Sequence, residues 1–171
     1  MISRFADRLI AGTKRLTLRQ LQPRDAEAVH AITNDPAITS SIAFLEHPFT
    51  QSDAVALIDR NGNGHDCFIG VRRRTDGSLV GIMGAHLCAP DNIEVGYWLG
   101  TAYHGQGYAT EAGAALLAVL SRTLPGQRIV AECRPENRAS WRVLEKLGFA
   151  ATGATGVRPG RMLLAYEKGR G

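Results

Sequence analysis

Two glycines two residues apart, Gly105 and Gly107 in HGQGYATEAG (His104–Gly113), stand where a loop passes into a helix. Without side chains they let backbone N–H groups approach a bound group closely. The helix expected to follow, about Tyr108–Arg122, opens with unpaired N–H groups and a partial positive charge. Together these can cradle a phosphate or pyrophosphate. Gln106, Gly107, Tyr108, Ala109 and Thr110 would offer the N–H groups, with small side chains the main requirement. His104 either supports this loop or reaches a phosphate itself.

A second group lies just upstream, in NIEVGYWLG. Strand alternation puts Ile93, Val95, Tyr97 and Leu99 on one face, and Asn92, Glu94, Gly96 and Trp98 on the other. A carboxylate on a central strand is costly to bury without a partner or a task. Glu94 is therefore either a structural acceptor for a neighbouring element or a group that takes protons. Gly96 and Gly100 would ease a bulge at the end of this strand. Downstream, Asn137 opens the run N-R-A-S as a preferred N-cap residue, and Ser140 follows in the first turn, where serine bonds locally. Trp98 and Trp141 read as core or groove wall, and Glu145 and Lys146 as a solvated face. No spacing resembles a Cys-His or Ser-His nucleophile pair.

The elements that must position these residues follow from periodicity. Arg15–Leu21 alternates as a half-buried strand. Pro23 opens a helix with Asp25 and Glu27 in its first turn and Ala28, Val29 and Ile32 facing inward; Asn34-Asp35-Pro36 ends it. Ala37–Phe49 reads as irregular, with Phe44, Leu45 and Phe49 free to line a groove. Thr50 or Ser52 caps a second helix to about Arg60, and 61–64 is a loop. Strands are expected over Cys67–Arg73 and Leu79–Leu87, joined by the Asp76-Gly77 turn, and over Asn92–Leu99. The long helix after the glycines is apolar nearly all round, hence buried on most sides. Arg128–Cys133 is a strand; Asn137 begins a helix that Gly148 ends, with Leu144 and Phe149 as the hydrophobic pair of a Schellman motif. Strands near Ala150–Thr155 and Arg161–Glu167 close a mixed sheet with helices on both faces.

Bulk composition bounds the rest. A chain of 171 residues, 44% hydrophobic and 21% charged, suits one domain with a sizeable core. No stretch is apolar enough to span a bilayer, and MISRFADRLIAG has no secretory h-region, so a cytoplasmic location is expected. Cys67, Cys88 and Cys133 have no metal-type spacing and read as buried free thiols in a reducing compartment. No metal is expected. The net charge of +4 suits a polyanionic ligand, whereas no nucleic-acid motif is visible. Arg72-Arg73-Arg74 reads as a solvated hairpin end.

The order of a strand NIEVGYWLG, a glycine loop and helix, and then PENRASWRVLEKLGF resembles the GNAT superfamily of N-acetyltransferases, in its RimJ/RimL-like branch. The family's Gln/Arg-x-x-Gly-x-Gly/Ala pattern maps onto His104, Gly107 and Ala109, with His104 departing from the usual first residue. The resemblance implies an α+β (mixed α/β) GNAT fold over residues 1–171: a central mixed, mostly antiparallel sheet with two splayed strands, and helices on both faces. It implies acetyl-CoA as co-substrate, bound by the loop from His104 and Gly105 to Thr110, by the backbone of Tyr97, Trp98 and Leu99, and by Asn137. It also implies direct attack by an amine, with Glu94 as base, directly or through water. Ser140 then serves as proton donor to the thiolate in place of the family's tyrosine, whose position holds Leu144. Tyr166, with Ile38–Phe49, would line the acceptor side. The branch implies a peptide or protein N-terminal α-amine as acceptor. A small-molecule amine and a non-catalytic acyl-CoA-binding regulator are the alternatives, and the chain is expected to act as monomer or homodimer, away from nucleic acid and membranes.

Overall fold

The computed structural model describes residues 9–89 and 91–167; the first eight residues of the MISRFADRLIAG stretch weighed above lie outside them. Eight described strands make one sheet: β1 (Leu9–Gly12), β2 (Leu16–Gln20), β3 (Asp66–Arg73), β4 (Leu79–Ala89), β5 (Asn92–Leu99), β6 (Arg128–Cys133), β7 (Phe149–Thr155) and β8 (Met162–Tyr166). Their spatial order is β1-β2-β3-β4-β5-β6-β8-β7. Neighbours are antiparallel throughout except β5 and β6, which run parallel. A parallel pair needs a crossover long enough to return the chain. That crossover is α4 (Tyr108–Thr123).

The β5–β6 pairing is short. Asn92 faces Arg128, Ile93 faces Ile129 and Glu94 faces Val130, and there the register ends. β5 continues to Leu99, while β6 continues to Cys133 along β8. The strands therefore splay, and the edge of β5 beyond Glu94 has no strand beside it.

Two apolar clusters cover the two faces. On one, Ile93 and Leu99 of β5, with Cys67, Ile69 and Val71 of β3, pack under Ala112, Leu116 and Leu120 of α4. Val95 and Tyr97 join from the same side of β5, as the alternation predicts. On the other face Phe68, Ile82 and Trp98 pack against α1 (Ala26–Thr33), α2 (Pro36–Thr39) and α3 (Gln51–Asp59). α5 (Arg138–Lys146) lies over β7. Gly148 follows it at φ +92°, its N–H donating to the Glu145 carbonyl at 3.0 Å, while Leu144 and Phe149 are both buried. The capping motif expected at Gly148 is thus present in its hydrophobic pair and its inner hydrogen bond.

Several expectations need correction. α1 faces the core with Val29, Ala28 and Ile32 as expected, the last two only partly covered, and it also buries Ala26 and Thr33; its entry, Pro23–Asp25, is a 3-10 turn rather than α-helix. The irregular stretch contains the short helix α2, capped when the Asp35 carboxylate accepts from the Ala37 N–H. Of the two caps the sequence allows for α3, Thr50 is the one used. β1 was not expected; four residues are too few to show a period. The pairing of β5 with β4 is continuous past Gly96, and its irregularity falls between Leu87 and Ala89, so no bulge occurs at Gly96 in that ladder. Arg72 is not solvated: it donates to Asp25, a carboxylate 3% exposed that Arg19 also holds. Cys67 and Cys133 are buried as expected, but Cys88 is exposed near the end of β4.

Candidate active site

The splay opens into a cavity of about 820 Å³ lined by Val95 to Leu99 on one side and by Ala131, Cys133, Asn137 and Ser140 on the other. One end meets the glycine loop. Gly105 and Gly107 have φ of +74° and +78°, in the region open to glycine. Gly107 is the N-cap of α4, so the N–H groups of its first turn have no helical partners upstream. The loop is held from below. Arg15 donates to both the Gln106 carbonyl and the Glu111 carboxylate, and its guanidinium lies 4.7 Å from the centre of the buried Tyr108 ring. Glu111 also accepts from the Thr13 hydroxyl and the Arg15 N–H. Burial pushes its carboxyl up, but these donors outweigh it and hold it below the usual range.

His104 supports the loop rather than reaching outward. Its Nε2 lies 3.0 Å from the Leu99 carbonyl, and since a carbonyl only accepts, that nitrogen carries the hydrogen. Gln106 similarly donates to the Ala102 carbonyl. Ala109 is buried at the cavity wall. Thr110, one residue on, is half-buried in the first turn of α4. The donor set fits a diphosphate: backbone N–H groups at a bare helix start, and an adjoining strand edge able to pair with an extended amide-bearing arm.

Asn137 caps α5, its Oδ1 accepting from the Ser140 N–H at 3.1 Å. Its amide nitrogen remains available to the cavity that the residue lines. Ser140 meets Tyr97: the phenol hydroxyl donates to Ser140 Oγ at 3.2 Å. Burial pushes the Tyr97 phenol up, keeping it protonated. With Tyr97 as donor, the hydroxyl hydrogen of Ser140 is turned away from the phenol, with the Cys133 thiol beside it. Sequence reasoning valued Tyr97 for its backbone and missed its side chain, which brings a phenol to α5 one turn before Leu144. The side chain lies on the face that the alternation gives it, with Ile93, Val95 and Leu99, and α5 covers part of that face.

Glu94 has the partner that its burial calls for. Both its oxygens accept from Arg158, at 2.5 and 3.0 Å, in a forked pair. Arg158 also reaches Glu132 at 3.0 Å. Glu132 pins the β7–β8 connection by accepting from the Val157 and Arg158 N–H groups. Gly156 makes room for it, since a Cβ there would lie 2.6 Å from the Glu132 carboxyl carbon. Arg161 spans the acceptor side, donating to the Ser41 carbonyl at 2.8 Å. None of Glu132, Arg158 and Arg161 was singled out from sequence: a loop arginine carries no periodic signal.

The acceptor wall includes Ile38, Ile42 and Phe44 from the segment expected there. Leu45 and Phe49 instead turn into the second apolar cluster. Trp98 is wall and core, its Nε1–H donating to Thr33 at 3.0 Å. Tyr166 does not line the cavity; it packs on Phe149, ring centres 5.6 Å apart. On β3 and β4, Asp66 and His86 sit opposite each other with Asp66 Oδ1 2.5 Å from His86 Nδ1, a pair that sequence reasoning also missed. Among the described residues no cluster could hold a metal ion, and no helix is long and apolar enough to cross a membrane.

The geometry agrees with comparison to known proteins. Residues 15–150 match the family model described as the acetyltransferase (GNAT) domain. The chain is 32% identical over 142 residues, 82% of each protein, to the uncharacterized N-acetyltransferase YnaD of Bacillus subtilis (strain 168). It superimposes on a GNAT-family acetyltransferase from Bacillus anthracis with a TM-score of 0.80 at 28% identity, covering 90% of this chain and 95% of that one. It shares its fold with RimL, the ribosomal L7/L12 α-N-protein acetyltransferase solved with coenzyme A, at a TM-score of 0.80 and 19% identity over 92% and 96% of the two chains. A splayed parallel pair, a glycine-started crossover helix and these matches lead to one conclusion: the chain belongs to the GNAT family of acetyltransferases, which take their acetyl group from acetyl-CoA.

Proposed function

We propose that this chain, acting as one GNAT domain, transfers the acetyl group of acetyl-CoA to the α-amine of a peptide or protein N-terminus. The observation that carries the reading is the seam between β5 and β6 running onto the positive-φ glycines, with a separate acceptor wall beyond it. In this reading the N–H groups from Gln106 to Thr110 hold the diphosphate, and the free edge from Tyr97 to Leu99 holds the arm and polarises the thioester carbonyl. Asn137 adds its amide. Ser140, with Tyr97 behind it, passes a proton to the departing sulfur. Both Glu94 oxygens already accept from Arg158, which leaves Glu94 to shape the acceptor side rather than to take the proton.

An α-amine suits the site on chemical grounds. Its ordinary pKa of about 7.7–8.0, against about 10.4 for lysine, leaves a sizeable share already nucleophilic near neutrality. The ribosomal relatives point the same way. A small-molecule amine is the second reading, favoured by the Arg161–Ser41 contact that bridges the two sides of the acceptor entrance. Competition between peptides with free N-termini and N-terminally blocked, lysine-containing versions decides. Faster acetylation of the free N-termini is expected. Equal or faster acetylation of the blocked peptides, or turnover only with a small amine, overturns the α-amine reading.

A further inference from the structure

The acceptor side carries a pair of groups that the proposed mechanism has not used. His86 and Asp66 are cross-strand neighbours on β4 and β3. Asp66 is fixed on its other oxygen by Arg60 and by Asn63, at 3.0 and 2.8 Å. Burial pushes the Asp66 carboxyl up, yet its partners, Asn63 and His86 first, keep it below its ordinary value, so it is a carboxylate. A carboxylate only accepts, so His86 Nδ1 carries the hydrogen between them. The Phe68 ring lies edge-on to the imidazole, with centroids 5.0 Å apart, and braces it.

This arrangement decides what the other nitrogen does. With Nδ1 protonated, a neutral imidazole has its lone pair on Nε2. That atom hangs over Gly84: a Cβ built there would lie 2.4 Å from it, so a side chain at Gly84 would displace the ring. Gly84 pairs with Gly96 on β5, and a Cβ at Gly96 would meet nothing within 4 Å. Nε2 therefore faces bare backbone at the cavity, over a β4 residue whose partner on β5 lies one strand spacing away, about 4.8 Å. It has no hydrogen-bond partner among the described residues. The charged and titratable groups around it are Asp66, Arg60, Glu94, Arg158 and Cys88, and Glu94 is already taken by Arg158.

We propose that His86, oriented by Asp66, takes the proton from the acceptor amine at Nε2. The inference rests on acetyl transfer in this cavity. The ammonium gives one N–H proton to Nε2, leaving the nitrogen lone pair free. That pair forms the C–N bond to the thioester carbonyl carbon. On collapse the C–S bond breaks, the second proton leaves nitrogen, and Ser140 relays it to sulfur. The imidazolium returns its proton to water, so the products are amide, free thiol and one released proton. His86 is the catalytic residue and Asp66 a positioning residue that sets the tautomer.

The test uses the full chain with acetyl-CoA and a peptide bearing a free N-terminus. H86Q is expected to lower kcat/KM by about 10²-fold or more and to flatten the rising limb of its pH profile. The thermal shift given by coenzyme A should stay at the wild-type value, which shows that H86Q is folded and binds. D66N should weaken turnover and move that limb. NMR of the uncomplexed wild-type protein should show a far-downfield His86 Nδ1–H that is lost in D66N. A His86 carrying its hydrogen on Nε2, or an H86Q enzyme with wild-type turnover and pH profile, overturns the proposal alone. Thiol release from the wild type with no amine would overturn the transfer reading and this inference together.

Discussion

Gly107→Val separates the two demands made on the glycine loop. At φ +78° any side chain is strained, by about 1–2 kcal/mol. Space inside the protein is not the obstacle: among described neighbours a Cβ would meet only Arg15 Nη2, at 3.5 Å, an ordinary contact. Gly107→Ala carries the same backbone strain with little bulk, whereas valine adds two methyls at the start of α4. For a chain of this size that strain lowers Tm by about 2–8 °C in both variants without ligand. Coenzyme A at about 100 times its Kd stabilises the wild type by about 2.7 kcal/mol, or about 5–11 °C. Scanning fluorimetry with and without coenzyme A should show that rise vanish in Gly107→Val and survive in part in Gly107→Ala. A wild-type rise in Gly107→Val would refute the placement of the diphosphate at this helix start.

Ser140→Ala should cut kcat while leaving the coenzyme A thermal shift and the acetyl-CoA KM nearly unchanged, because its part belongs to the reacting state. Unaltered kcat would reduce Ser140 to a helix-turn residue. Asp25→Ala strands two guanidinium groups, Arg19 and Arg72, against the face that Asp25 now neutralises. Breaking such a buried cluster costs about 3–5 kcal/mol, readable in urea unfolding, and a loss under 1 kcal/mol would contradict it. Glu111 is held below its ordinary pKa when folded, so its stabilising effect is complete above the unfolded value of about 4.3 and is lost as pH falls through and below it. Unfolding curves between pH 3 and 7 should therefore fall less steeply with acid in Glu111→Gln than in the wild type. Parallel curves would dissociate Glu111 from the acid response.

What sequence could reveal was what repeats or caps. β5 and β6 were read with the bounds they have, since Pro90-Asp91 and Gly100 flank the one, and Gly126 and Pro135 the other. The glycine loop and the cap at Asn137 were legible because each is local. The Asp66–His86 pair was not, for a reason of register. A two-residue Asp76-Gly77 turn would put Thr75 opposite Ser78 and His86 opposite Cys67. The chain instead closes with the Arg73 N–H on the Ser78 carbonyl and shifts register again between Val71 and Arg72. One residue of slip moves every side chain to the other face. Arg158 and Glu132 were illegible because their meeting depends on where the β7–β8 connection folds back. The fate of Tyr97 needed the packing of α5, which no alternation reports.

That meeting has a mechanical meaning. Only three residue pairs join β5 to β6, and just past the last of them one guanidinium hydrogen-bonds to a carboxylate on each strand, Glu94 and Glu132. Arg158 is a strut across the fork. The angle at which the two halves of the sheet part is thus set by charge as well as by packing, and charge can be tuned. Neutral glutamine at either carboxylate would relax the strut and let the fork breathe, whereas salt would do little to a pair so largely buried. A longer reach or a second cation at 158 would reset its gauge. The width of the mouth through which an acceptor arrives is then adjustable from a surface loop, without disturbing the backbone that grips the donor.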